Sequence, residues 1–123
     1  MADLASVIVE RHDDAQVVRL AGEVDISNAA RLEEDISEAV SNHVIGLVLD
    51  LSDTEYLDSA GIRMLFDLAQ RLEGRRQALG LVVPDDSLIR HSLMVTEVEQ
   101  AMGMNATLPD ALDEMLRLGR AGD

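Results

Sequence analysis

The chain of 123 residues contains no cysteine and no lysine. Without cysteine it has no thiol nucleophile, no disulfide bond and no thiolate ligand for a metal. Without lysine it cannot form a Schiff base, and it cannot contain the Gly-Lys-Ser/Thr sequence of a phosphate-binding loop. A role in ATP chemistry would therefore be that of a substrate and not that of a kinase.

Two further absences concern location and partners. No apolar run approaches the ~20 residues of a membrane span, and no basic-then-apolar leader is present, so we expect a cytoplasmic protein. The formal net charge is −14, and all ten cationic side chains are arginine. Because nucleic acids and anionic membranes require clustered cations, we expect neither as a partner. The charge favours a partner protein with a basic surface.

The composition, 47% hydrophobic and 28% charged, is typical of a globular domain. We expect one domain over residues 1–123, with a core from about 4 to 118 and a flexible tail at 119–123.

The hydrophobic pattern alternates between strands and helices. Strands are predicted at Leu4–Glu10, Gln16–Leu20, Val44–Leu51 and Ala78–Val83, with a weak candidate at Ala101–Met104. Helices are predicted at 29–40, at 59–74, from Asp85 or Asp86 to about Thr96, and from Thr107-Leu108-Pro109-Asp110 onward. The fold class is therefore α/β: a mixed sheet with an N-terminal antiparallel hairpin, followed by βα units, and about four helices.

Ser59 is the most informative residue. A polar loop, Ser52 to Asp58, follows a buried strand and delivers this hydroxyl to the first turn of a helix. The helix is predicted to bury the apolar positions Ile62, Leu65, Phe66, Ala69 and Leu72. Its N-terminus offers free N–H groups and a positive dipole end, which suit a phosphate acceptor. The alternative is that Asp58 or Ser59 only caps the helix.

A second loop is expected to meet this one. Gly22-Glu23-Val24-Asp25 follows the second strand, and ligands gather at the carboxyl ends of strands in such sheets. Four acids would then surround one serine hydroxyl: Asp25, Asp53, Glu55 and Asp58.

The chain resembles the anti-sigma-factor antagonists, the small stand-alone members of the STAS domain family. The resemblance rests on Gly22-Glu23-Val24-Asp25, on Leu57-Asp58-Ser59-Ala60-Gly61-Ile62, and on the element order from about Leu4 to Leu118. It implies that Ser59 is phosphorylated by a partner serine kinase, which binds the ATP and is also an anti-sigma factor. The unphosphorylated antagonist would bind that partner and release the sigma factor. A phosphatase acting on Ser59 would be a further partner.

Three positions depart from the family pattern. Ala60 stands where a second hydroxyl often follows the serine, Arg63 where a small residue is common, and Glu97 where a glycine often occurs. The partner-binding residues that the resemblance and the loops together indicate are Gly22, Glu23, Asp25, Asp58, Ser59, Ala60, Gly61 and Arg63. No cofactor, metal site or catalytic residue is expected.

Other chemistries are less well supported. Asp25 and Asp58 could form an acid/base pair, but no apolar pocket that would raise a pKa is evident. A Ser-His-Asp triad would lack the Gly-x-Ser-x-Gly elbow at Ser59. The acids also lack calcium-loop spacing. The main alternative is a STAS-like docking subunit or scaffold of a transport or signalling assembly that is not phosphorylated.

Overall fold

The computed structural model describes residues 5–121, without the side chains of residues 99 and 118–121. Six strands are described: β1 (Ala5–His12), β2 (Ala15–Val24), β3 (Gly46–Asp50), β4 (Thr54–Leu57), β5 (Ala78–Val82) and β6 (Gly103–Asn105). Five helices are described: α1 (Ala29–Ala39), α2 (Ser59–Gly74), α3 (Arg90–Met94), α4 (Val98–Ala101) and α5 (Leu108–Ala121). The predicted strand residue Leu4 lies outside the described residues. Positions 119–121, expected in a tail, belong to α5, and 122–123 are not described.

The strands form one mixed sheet in the order β1-β2-β3-β5-β6. The β1–β2 hairpin is antiparallel, as predicted, and turns at Asp13-Asp14, where Asp13 has a positive φ of 53°. All other strand pairs are parallel. The mixed α/β architecture is therefore confirmed. The predicted third helix is shortened to α3, and the short helix α4, which follows it, was not predicted.

The loop predicted at Ser52 to Asp58 is wrong in its second half. Thr54–Leu57 forms β4, which pairs in parallel with the last part of β2. Local composition hid this strand, because two of its four side chains are exposed and polar neighbours precede it. The strand depends on tertiary pairing and on Thr54, whose buried hydroxyl donates a hydrogen bond to the carbonyl of Leu20. β2 is correspondingly longer than predicted and reaches Val24.

Both faces of the sheet are covered. Leu47 and Leu49 belong to the core between the sheet and helices α1 to α4, whereas Val48 faces the smaller core under α5. This explains the unbroken apolar run in β3, since alternate residues enter different cores. This packing holds β3 at the centre of the sheet. The chain segment that leads to Ser59 begins at the end of this strand.

Two helix predictions need correction. Neither Asp85 nor Asp86 caps a helix, because α3 begins only at Arg90 and has no side-chain cap. In α2, Leu65 and Leu72 are fully buried as predicted, but Ile62, Phe66 and Ala69 are only partly buried. Met64 and Leu68 are buried in addition. The buried face of α2 is therefore shifted around the helix axis from the predicted one, toward Met64 and Leu68.

Candidate functional site

Asp58 connects the two loops that the sequence predicted to meet. It is the N-cap of α2, and its Oδ1 accepts the backbone N–H of Gly61 at 3.0 Å. Its Oδ2 accepts the backbone N–H of Ile26 at 3.2 Å, and its own N–H donates to the carbonyl of Val24 at 3.2 Å. One residue thus satisfies a free donor of the helix and holds the end of β2 against the start of α2.

Ser59 is the first residue of α2 and is exposed. Of the two caps that the sequence left open, the one at Asp58 is confirmed and the one at Ser59 is wrong. Among the residues that the structure describes, no hydrogen bond engages the Ser59 hydroxyl, and none engages the N–H groups of Ser59 and Ala60. A solvent-facing hydroxyl therefore lies at the positive end of a 16-residue helix, beside free backbone donors.

The loop after β2 is held by its own polar side chains. Asp25 accepts hydrogen bonds from the hydroxyl and the backbone N–H of Ser27, and these bonds lower the pKa of the Asp25 carboxyl. Asn28, which is 6% exposed, accepts the N–H of Asp25 at 2.9 Å and donates to the carbonyl of Glu23 at 2.9 Å. The loop is thus fixed before any partner binds. Sequence reasoning missed Asn28, although an asparagine directly before an apolar-periodic run is a usable signal for such a turn.

The two motif glycines, Gly22 and Gly61, are each required for a different structural reason. Gly22 has a φ of 100° and lies at a β-bulge, where the pairing of β2 with β4 shifts. A Cβ at Gly61 would lie 3.0 Å from Leu57 and 3.1 Å from the carbonyl of Val24. Gly61 therefore permits α2 to approach β2 and β4 closely, which positions Ser59 two residues earlier.

A shallow groove lies between α1 and α2 and reaches the first turn of α2 at Ala60. Its volume is about 200 Å³, and its lining includes Ile26, Ala30, Glu33, Ala60 and Arg63. Ile26 is 84% exposed, which is unusual for so large an apolar side chain and identifies it as a candidate contact that the sequence did not single out.

Glu33 and Arg63, two oppositely charged residues that line this groove, differ in whether they have an ion-pair partner. Burial raises the pKa of Glu33, and the Arg71 guanidinium, 3.0 Å from Glu33 Oε2, counteracts that rise. In the described part of the chain Arg63 makes no ion pair, so its guanidinium remains available one turn after Ser59.

The structure separates the four acids that were predicted to surround Ser59. Asp25 and Asp58 belong to the connected loops, as expected. Asp53 and Glu55 instead line another groove, together with Gly22. Asp53 precedes β4 and Glu55 lies near its start, so at ~3.3 Å per residue the extended strand carries both away from Ser59, which follows its far end.

Neither a metal site nor a membrane span emerges from residues 5–121. The described side chains include no group of three or more that could hold a metal ion. No described helix combines the length and the apolar content that crossing a membrane requires.

Comparison with known proteins defines the class. The sequence profile of the STAS domain matches residues 6–111. The anti-sigma-F factor antagonist RsfB of Mycobacterium tuberculosis is 34% identical over 110 residues, which cover 89% of this chain and 88% of RsfB. The crystal structure of an anti-sigma factor antagonist from Mycobacterium paratuberculosis superposes with a TM-score of 0.79 at 31% identity, covering 90% of this chain and 93% of that one.

More distant structures share the fold. SpoIIAA in its unphosphorylated form has a TM-score of 0.69 and covers 89% of this chain and 95% of its own. The Bacillus cell-fate determinant SpoIIAA in its phosphorylated form has a TM-score of 0.63 and covers 89% and 98%. Both are 22% identical to this chain.

This chain belongs to the STAS domain family. RsfB and the Mycobacterium paratuberculosis protein, both more than 30% identical to it, are anti-sigma factor antagonists, and that is the function class that the comparisons support.

Proposed function

We propose that this protein is an anti-sigma factor antagonist that binds an anti-sigma factor with serine kinase activity and is switched off by phosphorylation of Ser59. A phosphatase acting on Ser59 would restore binding, and the exchange would take place in the cytoplasm. The ATP would be bound by the kinase and not by this chain, which has no lysine for a phosphate-binding loop.

The observation that carries the proposal is that the adjacent residues Asp58 and Ser59 have different structural roles. Asp58 makes both the cap and the link between the loops, so the Ser59 hydroxyl has no structural duty among the described residues. A kinase can therefore phosphorylate this hydroxyl without first breaking a hydrogen bond within the domain. The existence of SpoIIAA in a phosphorylated form gives a precedent within the fold.

The docking surface would consist of the two connected loops and the groove between α1 and α2. Exposed Ile26 offers an apolar contact, while Glu23 and Asp25 contribute negative charge. A partner that presents an apolar residue surrounded by cations fits both features, and a chain of net charge −14 would attract such a partner over some distance.

Phosphorylation would alter this surface without unfolding the domain. The phosphate adds a charge of about −1.5 to −2 at neutral pH. At an effective dielectric constant of ~20, repulsion from one carboxylate about 8 Å away costs roughly 2 kcal/mol per unit of phosphate charge, or about 3–4 kcal/mol for the whole group before salt screening. The helix terminus offsets up to ~2 kcal/mol of this in favourable geometry, and Arg63 can add a charge-assisted hydrogen bond. The fold therefore survives, and the partner meets a surface of greater negative charge and bulk.

The competing function is a docking subunit that is not phosphorylated, in which Ser59 serves only as a helix cap. The cap at Asp58 removes the structural reason for a serine at position 59 in that account. The protein would then bind its partner constitutively, because no modification would change the docking surface.

Incubation with the candidate partner kinase and Mg-ATP tests the proposal. Intact mass and site mapping should show one phosphate on Ser59, and Ser59→Ala should abolish it. Ser27→Ala is the matched control, since Ser27 is an exposed serine on the adjoining loop whose hydroxyl already donates to Asp25. Phosphate on Ser27, Ser52 or Thr54 with Ser59 unmodified would contradict the proposal.

A further inference from the structure

Strand β1 forms one edge of the sheet and is eight residues long. Its pairing with β2 is continuous from Ala5 to His12, and no described strand pairs with its outer side. Alternate N–H and C=O groups of β1 therefore point away from the sheet, where another strand could bind them.

This edge lacks several of the features that usually prevent such pairing, and its charged residues Glu10 and Arg11 are confined to one end of the strand. β1 contains no proline, the chain has no lysine, and no bulge interrupts the register with β2. Two adjacent apolar residues, Ile8 and Val9, are 57% and 45% exposed. The opposite edge, β6, has only three residues and is protected by its shortness.

The sequence of β1 is compatible with antiparallel pairing to itself. Around a twofold axis perpendicular to the sheet, opposed residues share a face, so the register must centre on a residue. Centred on Ile8, it sets Ile8 against its own copy and Val7 against Val9. The flanking pairs are then Ser6 with Glu10 and Ala5 with Arg11. A register centred on Glu10 would oppose two carboxylates, and one centred on Val9 would set Ile8 against Glu10.

The edge at β1 carries charges of both signs. The net charge of −14 makes most approaches of two copies repulsive. At β1, however, Glu10 lies 3.8 Å from Arg19 and 3.1 Å from His12, and Arg11 is exposed nearby. A second copy therefore meets a surface of mixed charge, with Arg11 and Arg19 close to Glu10, Asp13 and Asp14.

We infer that two copies of this chain associate through their β1 strands, antiparallel and centred on Ile8, to form one continuous sheet. Ile8 pairs with Arg19, five residues before the end of β2, so the centre of the seam lies about 17 Å, measured along the strand, from the end of β2 at ~3.3 Å per residue. Both Ser59 sites remain open in such a dimer. The inference is independent of the function proposed above, because it uses no residue of that site.

The oligomeric state of the full chain tests the inference. A seam of two strands buries less area than a standard interface, so we expect a dissociation constant on the order of 10–100 µM. Sedimentation velocity across that concentration range should show a shift from the 13.4 kDa monomer to the dimer. Ile8→Arg should abolish the shift. Val95→Arg changes an apolar side chain that is 72% exposed between α3 and α4, on the side of the opposite edge strand β6, and should leave the shift unchanged. A monomer at all concentrations, or equal loss in both variants, would overturn the inference.

Cross-linking tests the register. Since the chain has no cysteine, an introduced cysteine is the only thiol. Directly opposed residues have Cβ atoms about 4.5–5.5 Å apart, so Ile8→Cys should be joined to its copy rapidly by a short thiol cross-linker. Val9→Cys and Ile26→Cys should react several-fold more slowly. Equal rates for all three variants, or the fastest reaction at Val9→Cys, would overturn the assignment to Ile8.

Discussion

The carboxylate of Asp58 accepts the backbone N–H of Ile26 across 32 residues of sequence, at 3.2 Å, while its other oxygen caps α2 at Gly61. The segment that follows β2 and the segment that presents Ser59 thus share one side chain. Any change at Ser59 is therefore made next to the residue that holds the Ile26 backbone in place.

The two neighbouring residues Asp58 and Ser59 should differ sharply in their effect on stability. Asp58→Ala removes the cap and the link, so we expect a loss of about 0.5–2 kcal/mol in the free energy of unfolding. Ser59→Ala removes a hydroxyl without a described partner and should change it by less than ~0.5 kcal/mol. Urea denaturation of both variants measures the difference. Equal losses would show that Ser59 shares the cap.

Gly61→Ala should disturb the packing of α2 on the sheet. The new Cβ would meet Leu57 and the carbonyl of Val24 at 3.0–3.1 Å, and overpacking of this kind costs about 1–3 kcal/mol. Gly74→Ala at the other end of the same helix is the control, because a Cβ there has no neighbour within 4 Å. That variant should be stabilised by about 0.4–1 kcal/mol. Thermal or urea unfolding that ranked the two variants in the reverse order would contradict the packing argument.

Asp25 should contribute to the acid dependence of stability. Its folded-state pKa is lowered by the hydrogen bonds from Ser27, so the folded state favours the ionised form. The stabilisation is then fully present above the unfolded-state pKa of about 4 and is lost as the pH falls through the lower folded-state value. Asp25→Asn keeps an acceptor for Ser27 but does not titrate. The stability gap between wild type and this variant should therefore shrink toward acid pH in urea titrations, and a gap that is constant from neutral to acid pH would refute the prediction.

The docking surface predicts an asymmetry between two charge reversals. Glu23→Arg lies beside the Asp25 loop, whereas Asp113→Arg lies on α5, across the sheet. Both raise the formal net charge by two, so long-range attraction changes equally. We expect Glu23→Arg to slow association with the anti-sigma factor on the order of tenfold at low salt, and Asp113→Arg to have a much smaller effect. Stopped-flow or biosensor rates would decide, and a larger effect at Asp113 would place the interface on α5.

The sequence predicted the elements that depend on local pattern. The hairpin, the central strand, the helix at Ser59 and the meeting of the Asp25 and Asp58 loops all follow from periodicity and from the direction of parallel strands. It left open whether Asp58 or Ser59 caps α2, because both residue types are good caps and only the backbone geometry distinguishes them.

The errors arose where tertiary contacts override local preference. β4 exists because the end of β2 supplies a pairing partner, and the failure to predict it placed Asp53 and Glu55 too near Ser59. The caps expected at Asp85 and Asp86 failed because those residues lie in a turn before α3, where Asp85 instead lies 3.5 Å from Arg90. The sequence did not indicate that Ile26 is exposed, because an apolar residue in a polar loop can be either buried or exposed.

The affinity of the anti-sigma factor for the two forms of this protein tests the central claim most directly. Calorimetry with unmodified and Ser59-phosphorylated protein should show binding at least about tenfold weaker after phosphorylation, which corresponds to ~1.4 kcal/mol. Backbone amide shifts between the two forms should be confined to the surroundings of Asp25 and Ser59, with β3 and β5 unchanged. Equal affinity of the two forms, or a loss of affinity that accompanies unfolding of β3 and β5, would contradict a switch made by local charge and bulk at Ser59.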